Sequence, residues 1–103
     1  MKKWAILFGP TMSLSTQAAP IFNFFELGVQ DSPKYDAIGE HNIRTSIQNE
    51  KGTLAMYSVK QKADPNMAYM LEIYADDAAN DAHRQTAHFK HYLAQTEKMV
   101  VDK

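Results

Sequence analysis

Apolar and polar positions alternate along this chain with two different periods. From Ile21 to Val29 the period is that of a strand, with Ile21, Asn23, Phe25, Leu27 and Val29 on one face and Phe22, Phe24 and Glu26 on the other. Both faces are largely apolar, which predicts a strand covered on both sides. Asp31-Ser32-Pro33 starts a helix, a capping side chain followed by proline in the first turn. This helix runs to about Ile47 and its apolar stripe is weak, with Tyr35 and Ile38 on one side and Ile43 and Ile47 on another. Asn49-Glu50-Lys51-Gly52 is a turn into a second strand, Thr53 to Lys60, with Leu54, Met56 and Ser58 opposite Thr53, Ala55, Tyr57 and Val59. Ala63-Asp64-Pro65-Asn66 turns the chain back into a third strand, Met67 to Tyr74, and the pair reads as an antiparallel hairpin. Met67, Tyr69, Leu71 and Ile73 share one face of it; Ala68, Met70, Glu72 and Tyr74 share the other. Asp76 or Asp77 caps a helix to about Lys98, with Ala78, Ala82, Phe89, Leu93 and Val100 on a single stripe at ~100° per residue.

The order strand, helix, strand, strand, helix is a split βαβ, ferredoxin-like α+β arrangement lacking its last strand. Only Met99 to Lys103 remains, short of a usual strand of ~5–6 residues. Truncation, a partner closing the edge, or Trp4–Phe8 filling the gap would each account for this. The start of the chain has a second reading. Met1-Lys2-Lys3 is basic, Trp4 to Leu14 mostly apolar, and Ser15 to Pro20 small and polar, the three-part layout of an export signal cleaved after Ala18. That divides the chain into a leader, 1–18, and one domain, 19–103. The apolar run is too short for a membrane anchor, which takes ~20 residues. A cleaved leader implies a periplasmic or secreted protein, and a retained one a cytoplasmic protein.

Composition narrows the chemistry. With 103 residues there is room for one small domain, whose marginal core makes a homodimer a reasonable expectation. A net charge of −1 argues against a nucleic-acid binder. No cysteine is present, so thiolate catalysis and disulfides are excluded. There is no Ser-His-Asp pattern, phosphate loop or dinucleotide fingerprint, and no nicotinamide or flavin cofactor is suggested.

Three of the four histidines lie on the last helix. On one continuous helix His83 and His88 stand about 140° apart and cannot share a metal. His88 and His91 could, but two ligands on one turn are a weak signal, and no metal is expected. His83, at the edge of the apolar stripe, is either a boundary histidine bonded to a backbone carbonyl or a proton-transfer group in a pocket between helix and sheet. His88 has the same two readings on the other flank. Asn23 is either locally satisfied or a pocket-lining amide. Phe22, Phe24, Phe25, Tyr57, Tyr69, Phe89 and six methionines supply enough apolar surface for a core or for a small-molecule cavity.

Asn49 to Leu54, then Leu71-Glu72-Ile73-Tyr74-Ala75-Asp76, then Ala82 to Tyr92 resemble, in order and spacing, the antibiotic biosynthesis monooxygenase family, which includes quinol monooxygenases. The resemblance covers roughly residues 21–99. It implies a dimeric α+β barrel with a pocket in each subunit, oxidising a quinol-like aromatic with molecular oxygen and no metal or flavin. An electron-rich hydroquinone, once deprotonated, can itself reduce oxygen, so the protein need supply only a base, hydrogen bonds and a dry cavity. The resemblance carries His83 as base or proton shuttle, with His88 as a second catalytic candidate. Asn23, Tyr57, Tyr69 and Glu72 are substrate-orienting candidates on their strand faces. Haem-degrading relatives carry an axial histidine about one turn after the helix phenylalanine; the residue here is Leu93, which argues against haem. A non-catalytic hydrophobic-ligand-binding module and an isomerase of the same fold are the alternatives.

Overall fold

The computed structural model describes residues 19–102. The leader expected at 1–18, and with it Trp4–Phe8, lies outside the described residues. Strand β1 (Ile21–Val29) leads to helix α1 (Ser32–Asn49). The hairpin strands β2 (Thr53–Lys60) and β3 (Met67–Tyr74) come next. Helices α2 (Asp77–Arg84) and α3 (Ala87–Thr96) follow, and strand β4 (Val100–Asp102) comes last. The sheet runs β2-β3-β1-β4 and its pairings are antiparallel, which is the ferredoxin-like α+β order. All three longer strands begin and end where the alternation predicts.

A short fourth strand is present after all. Val100 pairs with Val29 and Asp102 with Gly28, and the Gln30 N–H donates to the Met99 carbonyl at 2.8 Å. Three residues suffice because β4 covers only the end of β1 that reaches the core, where Leu27 and Val29 are buried.

The helices lie on one face of the sheet. Leu27, Val29, Tyr35, Met56, Ala68, Met70 and Tyr92 form the core there. β3 alternates as expected, with Ala68, Met70, Glu72 and Tyr74 buried. In β2 the register shifts between Thr53 and Ala55, so Thr53 is buried with Met56 while Leu54, expected beside Met56, is exposed. The opposite face is bare within the chain: Phe24 is 55% and Tyr57 58% exposed. A strand β1 covered on both sides is therefore not what the chain alone builds.

Both helical segments depart from their expected stripes. α1 is entered through Asp31 in a left-handed conformation (φ 47°), with its carboxylate accepting from the Lys34 N–H. It buries Ser32, Tyr35, Gly39, Asn42 and Ser46 at helical spacing, while Ile47 is exposed. Small and polar residues let it lie close to the sheet. The second segment is two helices. α2 is capped by Asp76, which accepts from the Ala79 N–H at 2.8 Å. It stops at Arg84, and Thr86 takes an extended ψ of 152° and caps α3 by accepting from the Phe89 N–H. The Thr86 hydroxyl donates back to the His83 carbonyl at 2.7 Å, closing the old helix as it opens the new one. On α2, Ala78 and Ala82 are exposed and His83 is buried; beyond the break α3 buries Tyr92 and Thr96 and leaves Leu93 exposed. Among the described residues no helix is long and apolar enough to cross a membrane.

Candidate functional site

A cleft of about 780 Å³ opens between the sheet and the last two helices. Phe25, Leu27, Met70, Phe89 and Tyr92 give it apolar walls, and Asn42, Glu72, Asn80 and His83 supply polar groups. Glu72 is buried on β3 and accepts from the Tyr74 hydroxyl at 2.7 Å. Burial, and then this bond to Glu72, push the Tyr74 phenol well above its ordinary range. Behind Tyr92, its hydroxyl and that of Tyr35 share a buried hydrogen bond of 2.6 Å.

His83 is 2% exposed and packs against Phe89 and Tyr74, with ring centroids 4.9 and 5.6 Å away. Its Nδ1 lies 2.9 and 3.1 Å from the two carboxylate oxygens of Glu50. His88 Nε2 bonds the same carboxylate, and the Thr53 hydroxyl donates to it at 2.6 Å. Burial would raise the Glu50 carboxyl, but donation from Thr53, His88 and His83 outweighs it and holds the group below its usual range. An ionised carboxylate can only accept, so Nδ1 of His83 carries a proton, and in the neutral ring Nε2 then keeps a lone pair. That Nε2 is buried and has no hydrogen-bond partner among the described residues. Asn42 Oδ1 and Asn80 Oδ1 are likewise buried and unpaired. The cleft thus holds an imidazole oriented from behind by a carboxylate, an arrangement able to accept a proton from a hydroxyl placed at Nε2.

The break at Thr86 makes this cluster possible. On one straight helix His83 and His88 would face different ways; the change of direction after Gln85 lets both reach Glu50. Their rings are 6.0 Å apart. The two rings meet on one carboxylate because they stand on two helices and not on the single continuous one on which they would lie about 140° apart. Glu50 itself comes from the C-terminal cap of α1, where its N–H donates to the Ser46 carbonyl at 2.9 Å.

Of the expected site residues, His83 and Glu72 line the cleft, and His88 stands behind His83 on Glu50. Asn23 pairs across from Glu72 on the helix-covered face, and its buried Nδ2 is unpaired. Tyr57 and Tyr69 are on the other face of the sheet, away from the cleft: Tyr57 is opposite Leu71, and Tyr69 stacks on Phe24 at 5.8 Å. Strand alternation fixes that side, since Tyr69 is one residue out of phase with Met70. Sequence reasoning missed Glu50, Asn42 and Asn80. A glutamate at the C-terminal end of a helix opposes the helix dipole, and an asparagine inside one is a poor helix former; both were available as signals.

The family model for antibiotic biosynthesis monooxygenases matches residues 33–95, more than half of the chain. The chain belongs to the antibiotic biosynthesis monooxygenase family. The matched span runs from α1 to α3 and so contains Glu50, His83 and His88 together. A solved structure of a candidate antibiotic biosynthesis monooxygenase from Bacteroides thetaiotaomicron VPI-5482 is 34% identical, with a TM-score of 0.79 over 82% of each chain. A candidate monooxygenase from Lactobacillus acidophilus NCFM is 31% identical with a TM-score of 0.79; the match covers 84% of this chain but 42% of that one. A third structure, from Caulobacter crescentus CB15, shares the fold at 22% identity and a TM-score of 0.79. No curated protein matches the chain. Family and neighbours together support a monooxygenase-like function.

Proposed function

We propose that this member of the antibiotic biosynthesis monooxygenase family oxidises a quinol or similar electron-rich aromatic with molecular oxygen, using no flavin or other cofactor. The observation that carries this reading is the unpaired Nε2 of His83, buried at an apolar cleft with Glu50 bonded to the opposite ring nitrogen. A substrate hydroxyl would give Nε2 the partner it lacks and surrender its proton. The resulting anion reduces oxygen. One oxygen atom is added to the ring and the other leaves as water, so a hydroquinone becomes a hydroxyquinone and no outside reductant is consumed. Glu50 orients His83 and stabilises its charged form, His88 acts through Glu50, and Glu72, Asn42 and Asn80 are the other polar groups of the cleft that can orient a second substrate oxygen. A second copy of the chain would cover the bare sheet face, giving a homodimer with one cleft per subunit.

The test is oxygen consumption by the purified protein with a panel of hydroquinones, corrected for autoxidation. Uptake is expected without added cofactor and should fall ~10²–10⁴-fold in His83→Ala, the usual worth of a general base. Full uptake in that variant would remove His83 from the role. Saturable binding of hydroquinones with no uptake would favour a ligand-binding module, and conversion without oxygen an isomerase.

A further inference from the structure

The groups that converge on Glu50 are also a set of metal ligands. We propose that Glu50, His83 and His88 bind one divalent first-row transition ion, such as Zn²⁺, and that occupancy turns His83 from an acceptor into a donor in the cleft. One ligand atom from each residue, the Glu50 carboxylate oxygen, a His83 ring nitrogen and a His88 ring nitrogen, lies within 4.8 Å of the others. Bonds of ~2.0–2.2 Å put neighbouring ligand atoms of a tetrahedral ion ~3.3–3.6 Å apart, a few tenths of an ångström beyond the 2.9 and 3.1 Å that now separate His83 Nδ1 from the two Glu50 oxygens, so a small side-chain shift seats the ion. Two imidazoles and one carboxylate suit zinc and its neighbours; calcium and magnesium prefer all-oxygen sites.

The set is built in advance rather than assembled by the ion. Its members come from the end of α1, from α2 and from α3, with the Thr53 hydroxyl holding a Glu50 oxygen from behind. The side chains of Glu50 and His88 retain 12% and 16% exposure, which leaves an entry route and room for water at the remaining positions. His41 and His91 are exposed elsewhere and take no part.

Binding exchanges protons within the rings. The ion takes Nδ1 of His83 and Nε2 of His88, and in each neutral ring the proton moves to the other nitrogen. Nε2 of His83 becomes an N–H, able to donate to a ligand in the cleft but no longer able to accept a proton. The site stands on geometry alone; only its effect on turnover rests on the oxygenase reading.

Calorimetric titration of the metal-stripped full chain with Zn²⁺ tests the site, with the absorption spectrum of bound Co²⁺ as a second readout. One ion per chain is expected. Affinity should drop by more than the roughly 10–100-fold typical of losing a supporting hydrogen bond in both His88→Ala and Glu50→Gln. It should be unchanged in the His41→Ala/His91→Ala double variant, with folding of each variant checked by circular dichroism. Absence of saturable binding, or binding that survives His88→Ala, would overturn the site. Nitrogen-15 spectra of the imidazoles test the switch without substrate: the His83 Nε2 signal should move from the unprotonated to the protonated position as Zn²⁺ is added. An Nε2 that stays unprotonated in the loaded protein overturns it.

Discussion

At the scale of single residues, the site depends on how buried polar groups find partners. Glu50 accepts from three side chains and His83 is satisfied on one edge only. The Tyr35–Tyr92 pair behind the cleft is the contrasting case, a buried pair satisfied by each other. Burial, then the proximity and bond of Tyr92, push the Tyr35 phenol far above its ordinary value; burial also raises Tyr92, against its bond with Tyr35. A folded-state value above the unfolded one means stability that is whole below pH ~10 and lost as pH rises beyond it, because only the unfolded chain releases those protons. Tyr35→Phe should therefore cost about 1–3 kcal/mol at neutral pH by stranding the Tyr92 hydroxyl, and should flatten the alkaline limb of a stability–pH curve measured by urea unfolding. His83 and Glu72 were legible as candidates because both occur in chemically suggestive segments. Glu50 was not, because its meaning lies in partners 33 and 38 residues away that no local pattern reveals.

Elements were more legible than their junctions. Strand alternation is a local signal, and the limits of β1, β2 and β3 follow from it directly. The division of the last helix did not, since Ala82 to Tyr92 contains neither glycine nor proline, and Thr86 marks the break only through the hydrogen bonds it makes on both sides. Gly52 is the other junction that matters. A Cβ there would stand 2.4 Å from the Cβ of Ala79, so the turn after Glu50 touches α2 with no space to spare. Gly52→Ala should push α2 away from that turn, costing about 1–3 kcal/mol by thermal or urea unfolding. It should also lower oxygen uptake, because Glu50 and His83 sit on the two parts being separated.

At the scale of the whole molecule, the sheet has one face under helices and one that carries Phe22, Phe24, Tyr57 and Val59 in the open. An apolar face of this kind is unusual for a lone chain and fits the proposed homodimer. Phe24→Lys would bury a charge in that interface. Dimer dissociation should rise by ~30-fold or more, the worth of about 2 kcal/mol at a well-packed contact, as read by sedimentation velocity. A native chain that sediments as a monomer at high concentration would count against the pairing. The periodicity of β1 announced two apolar faces correctly, but whether the second is covered depends on another molecule, which a single sequence does not describe.

The long separation between Glu50 and its two histidines also has a bearing on the order of events as the chain folds. Hairpins and single helices close early because their contacts are near in sequence, whereas a contact spanning more than thirty residues waits for the topology to be in place. The carboxylate–histidine cluster is accordingly expected to form late, after the hairpin and the single helices. A newly made or partly unfolded molecule would hold its helices and strands yet lack the contact of Glu50 with His83 and His88, so on the proposed reading its chemistry waits for the finished fold.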